Sequence, residues 1–253
     1  MDPFAASTLI FAIVLAGAIA GMALRQALPP EHLGTDAKET MRLATGLIVT
    51  MTGLVLGMLV SSAKTYYDGQ KNVVAQMSSQ IILLDNSLVD YGPETKEARR
   101  EVYQSVEDAI DRIWPKSESQ RSQLRPLNIG EKISELLEPL APKDGKQAAI
   151  KAQIMSSAQD LRKTYWLMYL QTEQTSISVP LLIVVTSWLV AVFVSFGIFA
   201  PRNPTVMATL IVCALAVSAA IFIIMSMYSP FSGIMKISPT AVRDALNQMA
   251  SDV

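Results

Sequence analysis

The residues best placed to act on a solute lie inside an apolar run, Leu43 to Val60, which reads LATGLIVTMTGLVLGMLV. Counted at about 100° per residue, Gly46, Thr50, Gly53 and Gly57 fall on one side of a helix, flanked by Val49 and Val60. Glycines leave backbone carbonyls open and threonines offer hydroxyls, so in an apolar medium such a stripe has two uses. It lets another helix approach closely. Alternatively it borders an aqueous lumen, where hydroxyls and open backbone replace part of an ion's hydration and Val49 and Val60 narrow the path. Lys64, Asp68 and Lys71 continue the same side. Read as a pore mouth, the lysines attract anions and Asp68 softens that preference; read otherwise, they are ordinary interfacial charges.

Other residues carry less chemistry. Asp85 sits beside an apolar stripe and reads as an ion pair or cap within a helical bundle rather than an ion ligand. His32, the only histidine, lies in a polar loop beside Glu31 and Asp36; it could titrate near neutral pH, but a solvated loop residue is the simpler reading. Pro230 to Gly233 reads as a helix terminator, with anion binding by open N–H groups as the alternative. There is no Ser/His/Asp or Cys/His constellation, no P-loop and no dinucleotide fingerprint. The chain is therefore not expected to be an enzyme or to hold a cofactor or metal.

Composition indicates which elements must position the stripe. Half of the 253 residues (51%) are hydrophobic and 17% are charged, below the quarter or so usual for soluble domains. The net charge of −1 gives no reason to expect a nucleic-acid partner. Four segments are long and apolar enough for the roughly 20 residues of helix that cross a bilayer: residues 5–24, 43–61, 181–200 and 205–227. The first could instead be a cleaved signal, given Ala18-Ile19-Ala20, but Met1 to Phe4 carries no Lys or Arg and the run is long. Asn203-Pro204 reads as an N-cap and first helical residue, making a tight turn between the last two spans. The lone cysteine, Cys213, falls inside the fourth span and can form no intrachain disulfide.

Nothing in residues 65–175 alternates with a strand period. Val74, Met77, Ile81, Leu84, Leu88 and Tyr91 recur at steps of three and four. Gly92-Pro93 then ends that helix, a second runs from Glu94 to Ile113 and stops at Trp114-Pro115, a short one covers Ile129 to Leu137, and a last one starts near Asp144. Ser238-Pro239 opens a tail helix within residues 228–253 that Leu246 and Met249 would dock. Both termini and the long insert share one side, which carries most of the Lys and Arg. Arg25, Lys38, Arg42 and Arg202 lie on the other. The positive-inside rule counts only short loops and span ends; on that count the bias is slight, and it places the insert in the cytoplasm.

Leu43-Ala-Thr-Gly-Leu-Ile through Leu56-Gly57 to Ser62-Ala63-Lys64 resembles the bestrophin-like domain family of bacterial membrane proteins. Leu84-Asp85, Tyr91-Gly92-Pro93-Glu94 and Pro230-Phe231-Ser232-Gly233 resemble it too, as does the order of two spans, a helical insert, two spans and a tail. The resemblance implies a ring of subunits, five in number, around an axial pore lined by the second span, in a cell inner membrane. Its cargo would be small inorganic ions. The second span has no aromatic residue, unlike bestrophin necks, so a hydrophobic gate would use Val49, Val60, Met51 or Leu54. No acidic cluster matches the calcium clasp.

The sequence thus predicts an all-α, multi-pass membrane protein, one bestrophin-like unit over residues 1–253, assembling as a homo-oligomer in the lipid bilayer and conducting ions with a lean toward anions. The alternative is a non-conducting scaffold or sensor that recruits a partner through its cytoplasmic helices.

Overall fold

The computed structural model describes residues 2–29, 34–114, 129–174, 178–201 and 203–251. Among these there is no strand. The helices are α1 (Pro3–Ala27), α2 (Thr35–Tyr91), α3 (Lys96–Ile113), α4 (Ile129–Leu137), α5 (Gly145–Gln174), α6 (Val179–Phe199), α7 (Pro204–Met227) and α8 (Thr240–Ser251). They form two compact units, Met1–Tyr66 with Ile177–Tyr228, and Tyr67–Ser176 with Ser229–Val253; α2 contributes to both.

The first unit holds α1, the first part of α2, α6 and α7. Each has a stretch long and apolar enough to cross a membrane. Their starts follow local chemistry. Asp2 accepts a hydrogen bond from Phe4 N at 3.1 Å ahead of Pro3. Asn203 accepts one from Thr205 N at 3.1 Å ahead of Pro204, as expected for a cap followed by a first-turn proline. Ala6, Ile10, Val14 and Ala18 of α1 meet Val185, Leu189 and Phe193 of α6 and Ala214 and Ile221 of α7 in one apolar cluster.

Glycines set how closely α1 and α6 pack. A Cβ on Gly21 would lie 2.2 Å from the Val194 carbonyl oxygen, and one on Gly197 would lie 2.2 Å from that of Ala18. No side chain fits there, so the two backbones touch directly, the arrangement small residues permit in membrane helices. The Arg25 guanidinium donates to the carbonyl of Ala200, capping the end of α6.

The second unit holds the rest of α2 with α3, α4, α5 and α8. Its core joins Val74, Ile81, Leu84 and Leu88 of α2 to Val102, Val106 and Ile110 of α3, Ile154, Leu161 and Met168 of α5, and Val242 and Leu246 of α8. A void of about 20 Å³ remains between Met77, Ile81, Val106, Ile110 and Leu161. α2 ends at Tyr91, and Gly92 takes φ 128°, a conformation L side chains rarely adopt. The turn that follows differs from the expected helix start at Glu94. Pro93–Thr95 forms a single 3-10 turn, and α3 begins at Lys96. The cause is buried Thr95, whose Oγ1 donates to the Leu88 carbonyl at 2.5 Å and satisfies an end of α2.

Candidate functional site on α2

Within the first unit α2 has two unlike sides. Thr45, Thr52, Leu59 and Ala63 are buried, with Ile48, Val55 and Leu56 packed against the same apolar cluster. The buried hydroxyls are satisfied: Thr45 Oγ1 and Ser195 Oγ of α6 share a hydrogen bond at 2.8 Å, and Thr52 Oγ1 donates to Ile48 O at 2.7 Å. This is the side that anchors the helix.

The glycine–threonine side faces away from that core. Gly46, Val49, Thr50, Gly53, Gly57 and Val60 are all exposed. A Cβ built on Gly46, Gly53 or Gly57 would meet nothing within 4 Å. Among the described residues, therefore, no other helix of this chain closes on these three glycines, and both uses of the stripe, receiving a helix or bordering water, fall to what lies outside the chain. Thr50 Oγ1 donates to Gly46 O at 2.9 Å, which leaves its oxygen lone pairs outward. Val49 and Val60 keep 45% and 38% of their surface.

The three charged residues that follow differ among themselves. Lys64 and Lys71 are exposed, and Asp68 is half-buried. Near the end of the spans, Tyr228 stacks on Tyr66 with centroids 5.6 Å apart, and its hydroxyl lies 3.2 Å from Ser62 Oγ. An aromatic pair of this kind suits a membrane–water boundary.

Asp85 is held as expected, in an ion pair with Arg99 at 2.6 Å. Tyr91-Gly92-Pro93 and Pro230-Phe231-Ser232-Gly233 both form turns, the second closed by Ile237 N to Pro230 O at 2.7 Å. Ser238 Oγ accepts from Thr240 N at 3.3 Å at the start of α8, and Leu246 and Met249 are buried. Glu31, His32, Pro115 and Arg202 lie outside the described residues. Among the described residues no three of His, Cys, Asp and Glu come together in a way that could hold a metal ion.

Two groups escaped the sequence reading. The Gly17-x-x-x-Gly21 spacing was the available signal for the tight α1–α6 contact. On α2 a second exposed ridge, Leu43, Leu47, Leu54 and Met58, runs beside the glycine face, each residue more than 60% exposed. Only Leu54 of these was singled out, although their spacing places all four on one side.

Helices as the only regular elements among the described residues, four of them apolar and span-length, and an open small-residue face make a membrane protein architecture. The family model of the Bestrophin-like domain matches residues 12–242. The chain belongs to the Bestrophin-like family. No curated protein and no solved structure gave a match to it.

Proposed function

We propose that the protein is an oligomeric membrane channel for small inorganic ions, in which copies of α2 surround an axial lumen. The observation that carries this reading is the open face at Gly46, Gly53 and Gly57, set opposite a side buried in the chain's own core. A helix held from one side presents the other to something outside the chain. Small side chains leave room for water on that face, where the Thr50 oxygen and the carbonyls bared by glycine can each accept a further hydrogen bond.

In this reading Gly46, Thr50, Gly53 and Gly57 line the lumen, while Val49 and Val60 form apolar constrictions that hydrated ions cross only when wetted. Lys64 and Lys71 ring the mouth and favour anions, with Asp68 moderating them. The ring has five subunits, as the family resemblance implies, and lies in a cell inner membrane with the helical insert in the cytoplasm. The protein performs no catalysis and needs no cofactor.

Ion flux in liposomes, with chloride and potassium gradients applied separately, tests this. Chloride flux that falls at least tenfold in Gly53→Leu protein of unchanged assembled mass supports the lumen. Absence of flux from a correctly assembled wild-type protein across pH and calcium would transfer the assignment to a scaffold that recruits a partner.

A further inference from the structure

The second unit carries two outward faces of opposite character at the same height. On α5, Trp166, Leu167 and Leu170 keep 37%, 47% and 42% of their surface. Exposed Lys163 and Arg162 lie one turn away. At about 100° per residue these side chains centre on the side opposite Ile154, Leu161 and Met168, which fill the core. On α5 itself Asp160 is exposed three residues before Lys163, set to one flank. Neither Lys163 nor Arg162 has an ion pair among the described residues. An apolar patch with an aromatic centre and unpaired cations, lying outside the four span-length stretches, is the kind of surface that marks an interaction.

On α3 the outward face is acidic over its second half; in the first half Arg100, on the same side, is paired with Glu97. Glu107, Asp108 and Asp111 are exposed, opposite buried Val102, Val106 and Ile110. Arg112 lies beside them, exposed, 3.6 Å from Asp108.

Two contacts fix the relative heights. Gln70 of α2 donates to Gln171 of α5 at 3.0 Å, and Asp85 of α2 pairs with Arg99 of α3. Both helices run antiparallel to α2. Eight residues from Gln171 bring α5 to Lys163, and eight from Arg99 bring α3 to Glu107. At 1.5 Å per residue these positions lie about 12 and about 10 Å beyond Gln70 along α2, level to within about 2 Å. The shared void lined by Leu161 and Val106 agrees with that register. Arg112 falls level with Trp166 and Leu170, where its guanidinium and stem suit an aromatic face.

We infer that the basic, apolar face of α5 docks on the acidic face of α3 of a second copy of this chain. The occupant is argued from charge complementarity: the chain itself carries the partner surface, at the matching height. Because the two faces differ, the contact is head-to-tail, and equal heights let successive copies close into a ring rather than climb into a filament. The inference rests on the proposed oligomer and names the surface that builds it.

The test is assembled mass by native mass spectrometry of the full chain in detergent, with circular dichroism to check helix content. Lys163→Glu and Glu107→Lys should each reduce the assembled fraction at least fivefold, and the double variant should restore it. Trp166→Ala should reduce it as well. In a Cys213→Ser background, Lys163→Cys with Glu107→Cys should give a ladder of crosslinked multimers under oxidation, which reads proximity even where a charge variant fails to fold. Single charge variants of wild-type mass, or no ladder from an assembled protein, overturn the inference. Liposome flux is scored separately. Flux from a ring that ignores these variants removes this interface and keeps the channel; a ring that depends on them but passes no ion removes the channel and keeps the interface.

Discussion

Arg99 and Asp85 face each other as a fork: Nε donates to Oδ1 at 2.6 Å and Nη2 to Oδ2 at 3.0 Å, with Nη2 also 3.4 Å from the Met249 carbonyl. The side chains are 10% and 4% exposed. One buried pair thus joins α2, α3 and α8. Removing one partner leaves a buried charge without its counterion, which costs about 3–5 kcal/mol, whereas replacing both with apolar residues costs far less. Arg99→Leu or Asp85→Leu alone should lower the melting temperature of the detergent-solubilised protein sharply. The double variant should recover most of the loss.

The glycines of the first unit should divide into two classes. Gly21→Val forces a Cβ into the Val194 carbonyl at 2.2 Å and should cost at least the 1–3 kcal/mol of an overpacked core, seen as lost expression or a large drop in melting temperature. Gly53→Val meets open space and should leave the isolated fold within about 0.5 kcal/mol of wild type, as surface changes do. Equal damage at both positions would show that α2's open face is covered by something essential to folding.

Trp114 should govern how firmly the tail is held. Its Nε1 donates to the Ile237 carbonyl at 2.7 Å in a buried setting, and its ring meets Phe231 edge-on with centroids 5.6 Å apart. Trp114→Phe keeps much of the packing but strands that carbonyl, at a cost of about 1–3 kcal/mol. Hydrogen exchange of α8 should accelerate accordingly, while amides of α1 and α6 keep their rates.

An exposed ion pair sets a small pH dependence. The hydrogen bond from Lys143 holds the Glu94 carboxyl below its ordinary 4.5 and holds the Lys143 ammonium above its ordinary 10.5. For Glu94 the contribution is present above the ordinary carboxylate value and fades as pH falls through the lowered one. For Lys143 it is present below 10.5 and fades as pH rises through the raised one. Stability from this pair should be flat across neutral pH. Glu94→Gln should flatten a small acid-side loss in thermal melts and change little at pH 7.

Features that depend on neighbours in sequence were legible. Gly92-Pro93 ends a helix because of its own backbone, Asn203-Pro204 starts one by capping, and the three-four spacing of Val74, Ile81 and Leu88 marks the side that is buried. Asp85 next to that spacing was enough to expect a paired carboxylate. What needed the fold was the identity of distant partners. Nothing near Trp114 points to Ile237, and nothing near Gly21 points to Gly197. The stripe on α2 shows the same limit. Its spacing was plain, but a glycine that receives a helix and a glycine that faces open space look alike until the rest of the chain is placed. The glycines that do receive a helix were in α1 and α6.

Cys213 is the chain's one cysteine, and it is exposed on α7. Inside a span that exposed face lies against lipid tails, out of reach of an aqueous maleimide, so a cysteine placed at water-exposed Lys146 is marked alone, once per copy. Single assemblies in a supported bilayer would bleach in as many steps as they have subunits, and energy transfer between neighbouring dyes would report the diameter of the circle on which they sit.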